Sequence, residues 1–188
     1  MSRRVGQAAG KLRIIGGSLR GSRLSVPEIP GLRPTPDRVR ETLFNWLMPV
    51  IAGAHCLDLY AGTGALGIEA LSRGAASATF VESDARLVEQ LRANLSRLKL
   101  EAPVFQGDAL RFLTQGDGQY NLVFVDPPFT ERAWSDVARA LESNRRLSGN
   151  ALVYVESPAG QSLDLPQAWQ LHRQARAGAV CYALYRRE

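Results

Sequence analysis

The sequence predicts an α/β fold: a mostly parallel sheet of seven strands with helices on both faces, an antiparallel C-terminal strand, and a small N-terminal β-hairpin and helix. Three observations carry that prediction. From about Ala54 onward, short apolar runs alternate with amphipathic stretches of helical length, as strands joined by crossover helices do. The last two apolar runs follow each other too closely for a crossover helix, so they pair as an antiparallel hairpin. Before Ala54, two short extended runs are broken by Gly16-Gly17 and Gly21, a hairpin signal.

Taken in order, residues 1–10 are small and polar and are expected to form a disordered tail. Residues 11–50 read as a basic hairpin and helix. Thr35-Pro36 looks like an N-cap followed by Pro at the first helical position, and Val39, Leu43, Phe44, Trp46 and Leu47 then form an apolar stripe at helical spacing. The core is expected over 51–188. Its strands fall at about 55–60, 78–82, 102–106, 121–125, 151–156, 169–174 and 180–186, and its helices at about 65–72, 85–98, 109–113 and 133–142.

The chain has 188 residues, of which 45% are hydrophobic and 22% charged, enough to bury a full core without staples. Cys56 and Cys181 are its only cysteines and His55 and His172 its only histidines, so neither a disulfide framework nor a zinc-ligand spacing is present. No apolar run approaches the ~20 residues of a membrane span, and no apolar stretch follows the initial Met-Ser-Arg-Arg. The expectation is a soluble cytoplasmic monomer that binds no membrane and no metal.

Charge is unevenly distributed. Residues 1–40 hold nine of the 23 Lys and Arg against only Glu28 and Asp37, a local net of +7, which leaves −2 for the other 148 residues of a chain with net +5. Such asymmetry suits a polyanion-binding end on a neutral body. Arg13, Arg20, Arg23, Arg33 and Arg38 are the candidate RNA contacts.

Four motifs carry chemistry. The first is Asp58-Leu-Tyr-Ala-Gly62-Thr-Gly64-Ala-Leu-Gly67 at the end of the first core strand. Its Gly-x-Gly-x-x-Gly spacing is shared with dinucleotide sites. Asp58, four residues before the first glycine, would repel a pyrophosphate but attract an amine, and S-adenosylmethionine carries an amine and no phosphate. Tyr60, Gly62 and Gly64 belong to the same candidate pocket. The second is Glu82, which closes a strand where a carboxylate can accept from both ribose hydroxyls; Asp84 is assigned to capping the next helix. The third is Gly107-Asp108-Ala109, in which Asp108 can accept from an adenine amino group or cap a helix. The fourth and most specific is Asp126-Pro127-Pro128-Phe129. Methylating an exocyclic amine needs acceptors, because positive charge develops on nitrogen as the methyl arrives. The Asp126 carboxylate and Pro127 carbonyl can supply them, and Phe129 offers a face for the extruded base.

These residues together resemble a class I S-adenosylmethionine-dependent N-methyltransferase. More closely, Arg33-Pro-Thr-Pro-Asp37-Arg-Val-Arg-Glu-Thr-Leu-Phe-Asn-Trp46, followed by the glycine loop and Asp-Pro-Pro-Phe, is similar to the bacterial 16S ribosomal RNA guanine-N2 methyltransferases that act on guanine 966. The resemblance runs from about Lys11 to the C-terminus. It implies a Rossmann-like seven-stranded methyltransferase sheet, S-adenosylmethionine as cofactor, and small-subunit rRNA in an assembled or assembling 30S subunit as substrate. Direct in-line displacement by the guanine N2 needs no metal and no covalent enzyme intermediate. Three other readings stay open on residues alone: an NAD(P)-dependent oxidoreductase using the glycine loop, an amino-methyltransferase acting on DNA or on protein glutamine, and a non-catalytic RNA-binding module. His55, Cys56, Cys181, Trp134 and Trp169 are read as packing residues.

Overall fold

The computed structural model describes residues 8–30, 32 and 34–188. The elements are β1 (Ala8–Arg13), β2 (Arg23–Pro27), α1 (Asp37–Leu47), β3 (His55–Asp58), α2 (Ala65–Ser72), β4 (Ser77–Glu82), α3 (Ala85–Arg97), β5 (Val104–Gln106), α4 (Ala109–Thr114), β6 (Tyr120–Val125), α5 (Trp134–Ser143), β7 (Leu147–Pro158), β8 (Trp169–Ala177) and β9 (Val180–Arg187). Strands β3 to β9 form one seven-stranded sheet in the order β5-β4-β3-β6-β7-β9-β8. The five strands β5 to β7 run parallel, and β9 enters antiparallel between β7 and β8. The expected seven-stranded sheet with an antiparallel C-terminal strand is the observed one.

The chain first builds the sheet outward from β3 through β4 to β5, then returns to the other side of β3 with β6. Order therefore reverses between β3 and β6, and in open α/β sheets ligands bind beyond the strand C-termini at such a point. Each face buries its own cluster. Residues of α1, α2 and α3 and of the hairpin pack on one side with Phe80, Phe124 and Tyr154. Those of α4 and α5 pack on the other with Val81, Val123 and Val153. Alternation along β4, β6 and β7 sends neighbouring side chains to opposite faces, so both sides are apolar.

The hairpin β1–β2 alternates in the same way. Leu12, Leu24 and Val26 point inward and are buried with Ile14, while Lys11, Arg13 and Arg23 stay exposed. Its first strand begins at Ala8, inside the segment expected to be a disordered tail; residues 1–7 lie outside the described residues. The helix stripe holds, with Val39, Leu43, Phe44 and Leu47 buried and Trp46 stacked on Tyr182 at 5.5 Å between ring centroids. The expected cap does not. Pro36 occupies the N-cap of α1 with no side-chain cap bond, and the Thr35 hydroxyl is used elsewhere. His55 is exposed and bonded to Ser77 at 2.8 Å, whereas Cys56, Trp134 and Trp169 are buried as read.

A buried ionic knot ties the hairpin to the core. Glu69 of α2 accepts from the backbone N–H groups of Ile15 and Gly16 at 2.9 and 2.8 Å and pairs with Arg73 at 2.8 Å and Arg40 at 3.4 Å. Arg40 is fully buried and also donates to the carbonyls of Thr35 and Arg13. One of the nine cations of the basic end is thus an internal strut.

Candidate active site

Five carboxylates stand at the C-terminal edge of the parallel sheet, one per strand. In spatial order they are Asp108 after β5, Glu82 on β4, Asp58 on β3, Asp126 after β6 and Glu156 on β7. Asp58 and Asp126 flank the point where strand order reverses. Parallel strands end at a common level, so the topology gathers residues up to 98 positions apart in sequence.

Asp58 is buried, and its Oδ2 accepts from the Gly67 N–H at 3.0 Å. Burial, outweighing that bond, raises its pKa to about 7, and the Glu82 charge adds to the shift. The loop between them needs its glycines for different reasons. Gly64 has φ +87°, and a Cβ there would lie 2.4 Å from Leu91. A Cβ on Gly67 would enter the Phe80 ring at 2.2 Å. Gly62, with φ +56°, faces open space, and its N–H donates to Glu82 Oε2 at 2.8 Å. Glu82 Oε1 accepts from the Asp84 N–H at 2.9 Å. Glu82 therefore shapes the glycine loop as well as facing the edge, a role its sequence position did not suggest.

Asp84 caps α3 through the Arg86 N–H at 2.8 Å, as expected. Asp108 caps α4 with Oδ1, accepting from the Arg111 N–H at 2.8 Å, and its carboxylate remains exposed. Ala109 is buried beneath it. The half-buried Tyr60 has its hydroxyl pKa raised by burial and then by the charges of Glu131 and Asp108.

Asp126-Pro127-Pro128-Phe129 follows β6 directly. Burial, then the charges of Glu156 and Asp58, hold the Asp126 carboxyl well above its ordinary range. Phe129 is 37% exposed and leans on Trp134 at 5.9 Å between ring centroids. Trp134 is itself fixed by an indole N–H bond to the Glu156 carbonyl at 2.7 Å.

Glu156, Tyr154 and Thr35 escaped the sequence reading. Glu156 Oε1 accepts from Tyr154 Oη at 2.8 Å and from Thr35 Oγ1 at 3.0 Å, all three being buried. The signal was available for Glu156: it closes an apolar strand as an acid, like Glu82. Nothing local could have revealed Thr35, whose partner lies 121 residues away.

Of the candidate RNA contacts, Arg13, Arg20, Arg23 and Arg38 are exposed. Arg13 and Arg23 are cross-strand partners on the outer face of the hairpin, and Arg13 lies 4.0 Å from Asp37. Arg33 lies outside the described residues. The hairpin is joined to the glycine loop through Asn94 of α3, which accepts from the Ser25 N–H at 3.0 Å and donates to the carbonyls of Ser25 and Thr63 at 3.1 and 3.2 Å.

Comparison with known proteins adds to this geometry. The family model Conserved hypothetical protein 95 matches residues 12–186. The chain is 53% identical over 182 residues to ribosomal RNA small subunit methyltransferase D of Escherichia coli strain K12, covering 96% of this chain and 92% of that protein. It is 45% identical to the protein of the same name from Haemophilus influenzae, covering 95% of each. The solved structure of yhhF from Escherichia coli superposes with a TM-score of 0.89 at 50% identity, over 95% of this chain and 99% of that one. An RNA methyltransferase from Salinibacter ruber, solved with S-adenosyl-L-homocysteine, shares the fold at a TM-score of 0.62 and 20% identity, over 82% and 93% of the two chains.

Proposed function

This chain belongs to the Conserved hypothetical protein 95 family, alongside the ribosomal RNA small subunit methyltransferase D proteins, and from that premise we propose its reaction. It transfers a methyl group from S-adenosylmethionine to small-subunit rRNA. The acceptor is the exocyclic N2 of a guanine, guanine 966 by family resemblance, in the assembled or assembling 30S subunit. The observation that carries this reading is Asp126-Pro127-Pro128-Phe129 standing across the strand-order reversal from Asp58.

The residues present fit the cofactor. Asp58 is a buried carboxylate without an ion-pair partner among the described residues, suited to a ligand that brings an amine, and Gly62 leaves room for close approach. Asp58 also occupies the Gly67 N–H at the start of α2, a donor that a pyrophosphate would need, which disfavours NAD(P). Glu82 and Asp108 retain acceptor capacity for hydroxyl and amino groups, and Tyr60 and Ala109 border the same pocket. S-adenosylmethionine supplies a methyl on a sulfonium centre whose leaving group is a neutral thioether.

The protein's own part is positioning and charge stabilisation. Asp126 and the Pro127 carbonyl hold the amine N–H groups, aiming the nitrogen lone pair, and Phe129 stacks the base. The segment 11–50 presents Arg13, Arg20, Arg23, Arg33 and Arg38 to RNA phosphates, and the core 51–188 carries the chemistry. Incubating the protein with methyl-labelled cofactor and 30S particles, naked 16S rRNA or DNA, then analysing nucleosides by mass, tests the reading. N2-methylguanosine in the rRNA is expected; label in DNA, or none in any arm, refutes it.

A further inference from the structure

Glu156 takes no part in the reaction outlined above, yet it is anchored on the edge by two buried hydroxyls. Its strand pairs β6 in register, with Val155 opposite Val125, so Glu156 and Asp126 are the next residues along on neighbouring parallel strands. Two hydroxyls donate to one of its oxygens, from Tyr154 and Thr35, and Trp134 fixes its carbonyl. On β9 its register partner is Tyr182, which is buried. From β3 the remaining nearby charge is Asp58, acting on Asp126. Among the described residues neither Glu156 nor Asp126 forms an ion pair.

We propose that Glu156 is a positioning residue for methyl transfer: its anchored carboxylate, one strand over, sets the Asp126 carboxylate as the acceptor for the amine N–H groups and for the proton that the methylated amine must lose. This rests on the reading of Asp126 as the amine-holding group. The chemistry requires such an acceptor. The nitrogen lone pair forms the N–C bond while the S–C bond breaks with its electron pair going to sulfur. The nitrogen is left positively charged with two hydrogens. One N–H bond then breaks, its electrons returning to nitrogen and its proton passing to an Asp126 oxygen. An ordinary carboxylate, with a pKa near 4, can take this strongly acidic proton, and a more basic carboxylate is a better acceptor for the N–H groups as their charge develops. A like charge beside it in a buried site makes it a stronger one. Burial raises the Glu156 pKa, and the two hydroxyls oppose that rise, because donors to a carboxylate favour its ionised form. The burial of Asp126 and the Glu156 charge push its proton affinity the same way.

Thr35 gives the arrangement a second consequence. It belongs to the segment leading into α1, so a residue of the N-terminal extension reaches the reacting edge through Glu156.

The test is the pH dependence of single-turnover methylation on 30S particles, for wild type, Glu156→Gln and Thr35→Val, with melting curves as a control. Asp126 must be ionised to accept, so the wild-type rate falls on the acid side of its titration. Glu156→Gln keeps the size of the side chain but removes its charge. Its acid limb should move down by one pH unit or more while the plateau rate drops at least tenfold, with the affinity for S-adenosylhomocysteine unchanged. Thr35→Val lets Glu156 take the proton more readily, leaving Asp126 ionised to lower pH. Its limb should shift in the same direction by less, and this variant serves should Glu156→Gln melt below the assay temperature. Acid limbs coincident with wild type in the folded variants would overturn the proposal while leaving the methyltransferase reading intact. Absence of methylation by wild type in every arm would overturn that reading itself.

Discussion

Two regions of this molecule bury carboxylates, and they treat them in opposite ways. Under the hairpin, Glu69 meets two guanidinium groups and two backbone N–H groups. At the sheet edge, among the described residues, Asp58 receives one backbone N–H and no cation, Asp126 is raised by burial and then by its acidic neighbours, and Glu156 is held only by hydroxyls. A charge buried with its partners is a fastener, whereas one buried without a partner costs free energy and persists where a ligand completes it. The difference separates scaffold from site better than burial or acidity alone.

Breaking the fastener should have the largest effect. Glu69→Ala leaves the buried Arg40 with Asp37 as its remaining carboxylate and strips the Ile15 and Gly16 N–H groups of their acceptor, which should cost about 3–5 kcal/mol of folding stability, read by urea unfolding. The loss should be the same with and without saturating S-adenosylhomocysteine, after allowing for ligand linkage. A loss under 1 kcal/mol would mean the knot is no more than a surface-like pair.

Removing an acid from the site should act on rate instead. Asp126→Ala should lower the methylation rate by about 100-fold or more, the scale for losing a transition-state partner, with cofactor affinity nearly unchanged. Near-normal turnover on 30S particles would move the catalytic centre elsewhere.

Asp58 sharpens the contrast through pH. Its pKa in the folded protein is about 7 against an ordinary 3.8, so between those values the folded state holds a proton that the unfolded state has released. Stability from this group is intact below pH 4 and is lost as pH rises through 7. Asp58→Asn keeps an acceptor for the Gly67 N–H and does not titrate. Relative to wild type, the ligand-free variant should therefore gain on the order of 2–4 kcal/mol between pH 4 and 7.5, measured by denaturant unfolding. Binding of the cationic cofactor to wild type should weaken as pH falls below 7, and the variant should lose that dependence along with most of its affinity. A pH-independent stability difference would show that Asp58 is ionised throughout.

The sheet and most of the edge were legible because both are written locally. Apolar runs spaced by helical stretches specify parallel strands, and an acid closing such a run, as at Asp58 and Glu82, lands on the ligand edge. Asp84 was legible as a cap for the same reason. Three things were not. Thr35 next to Pro36 has the look of a cap, but its hydroxyl bonds Glu156 across 121 residues, which no local rule reaches. Arg40 counts as surface charge in any tally, and only the fold brings Glu69 to it. The hairpin reads as a basic extension separate from the core over 51–188, yet Leu12, Ile14 and Leu24 share one cluster with Ile68 and Phe80, and Asn94 links it to the glycine loop.

That shared core bears on the smallest expected effect, which concerns where RNA affinity resides. The outer face of the hairpin keeps Arg13 and Arg23 side by side, with Arg20 exposed in the intervening turn, while its inner face holds the core. Arg13, Arg20 and Arg23 changed together to Gln should therefore leave folding and cofactor binding unchanged within about 0.5 kcal/mol, as for exposed side chains in general. Their loss should still weaken binding to 30S particles. Each lost phosphate contact releases fewer counterions, so the slope of log affinity against log salt should flatten by about 2–3 for three contacts. The contrast with Arg40 is the point of the experiment: it lies in the same basic stretch, but it serves the fold and not the surface. Equal slopes for the triple variant and wild type would remove the hairpin from the RNA interface. The search would then turn to the exposed arginines Arg173, Arg176 and Arg186 of β8 and β9, on the far side of the Asp-Pro-Pro-Phe loop.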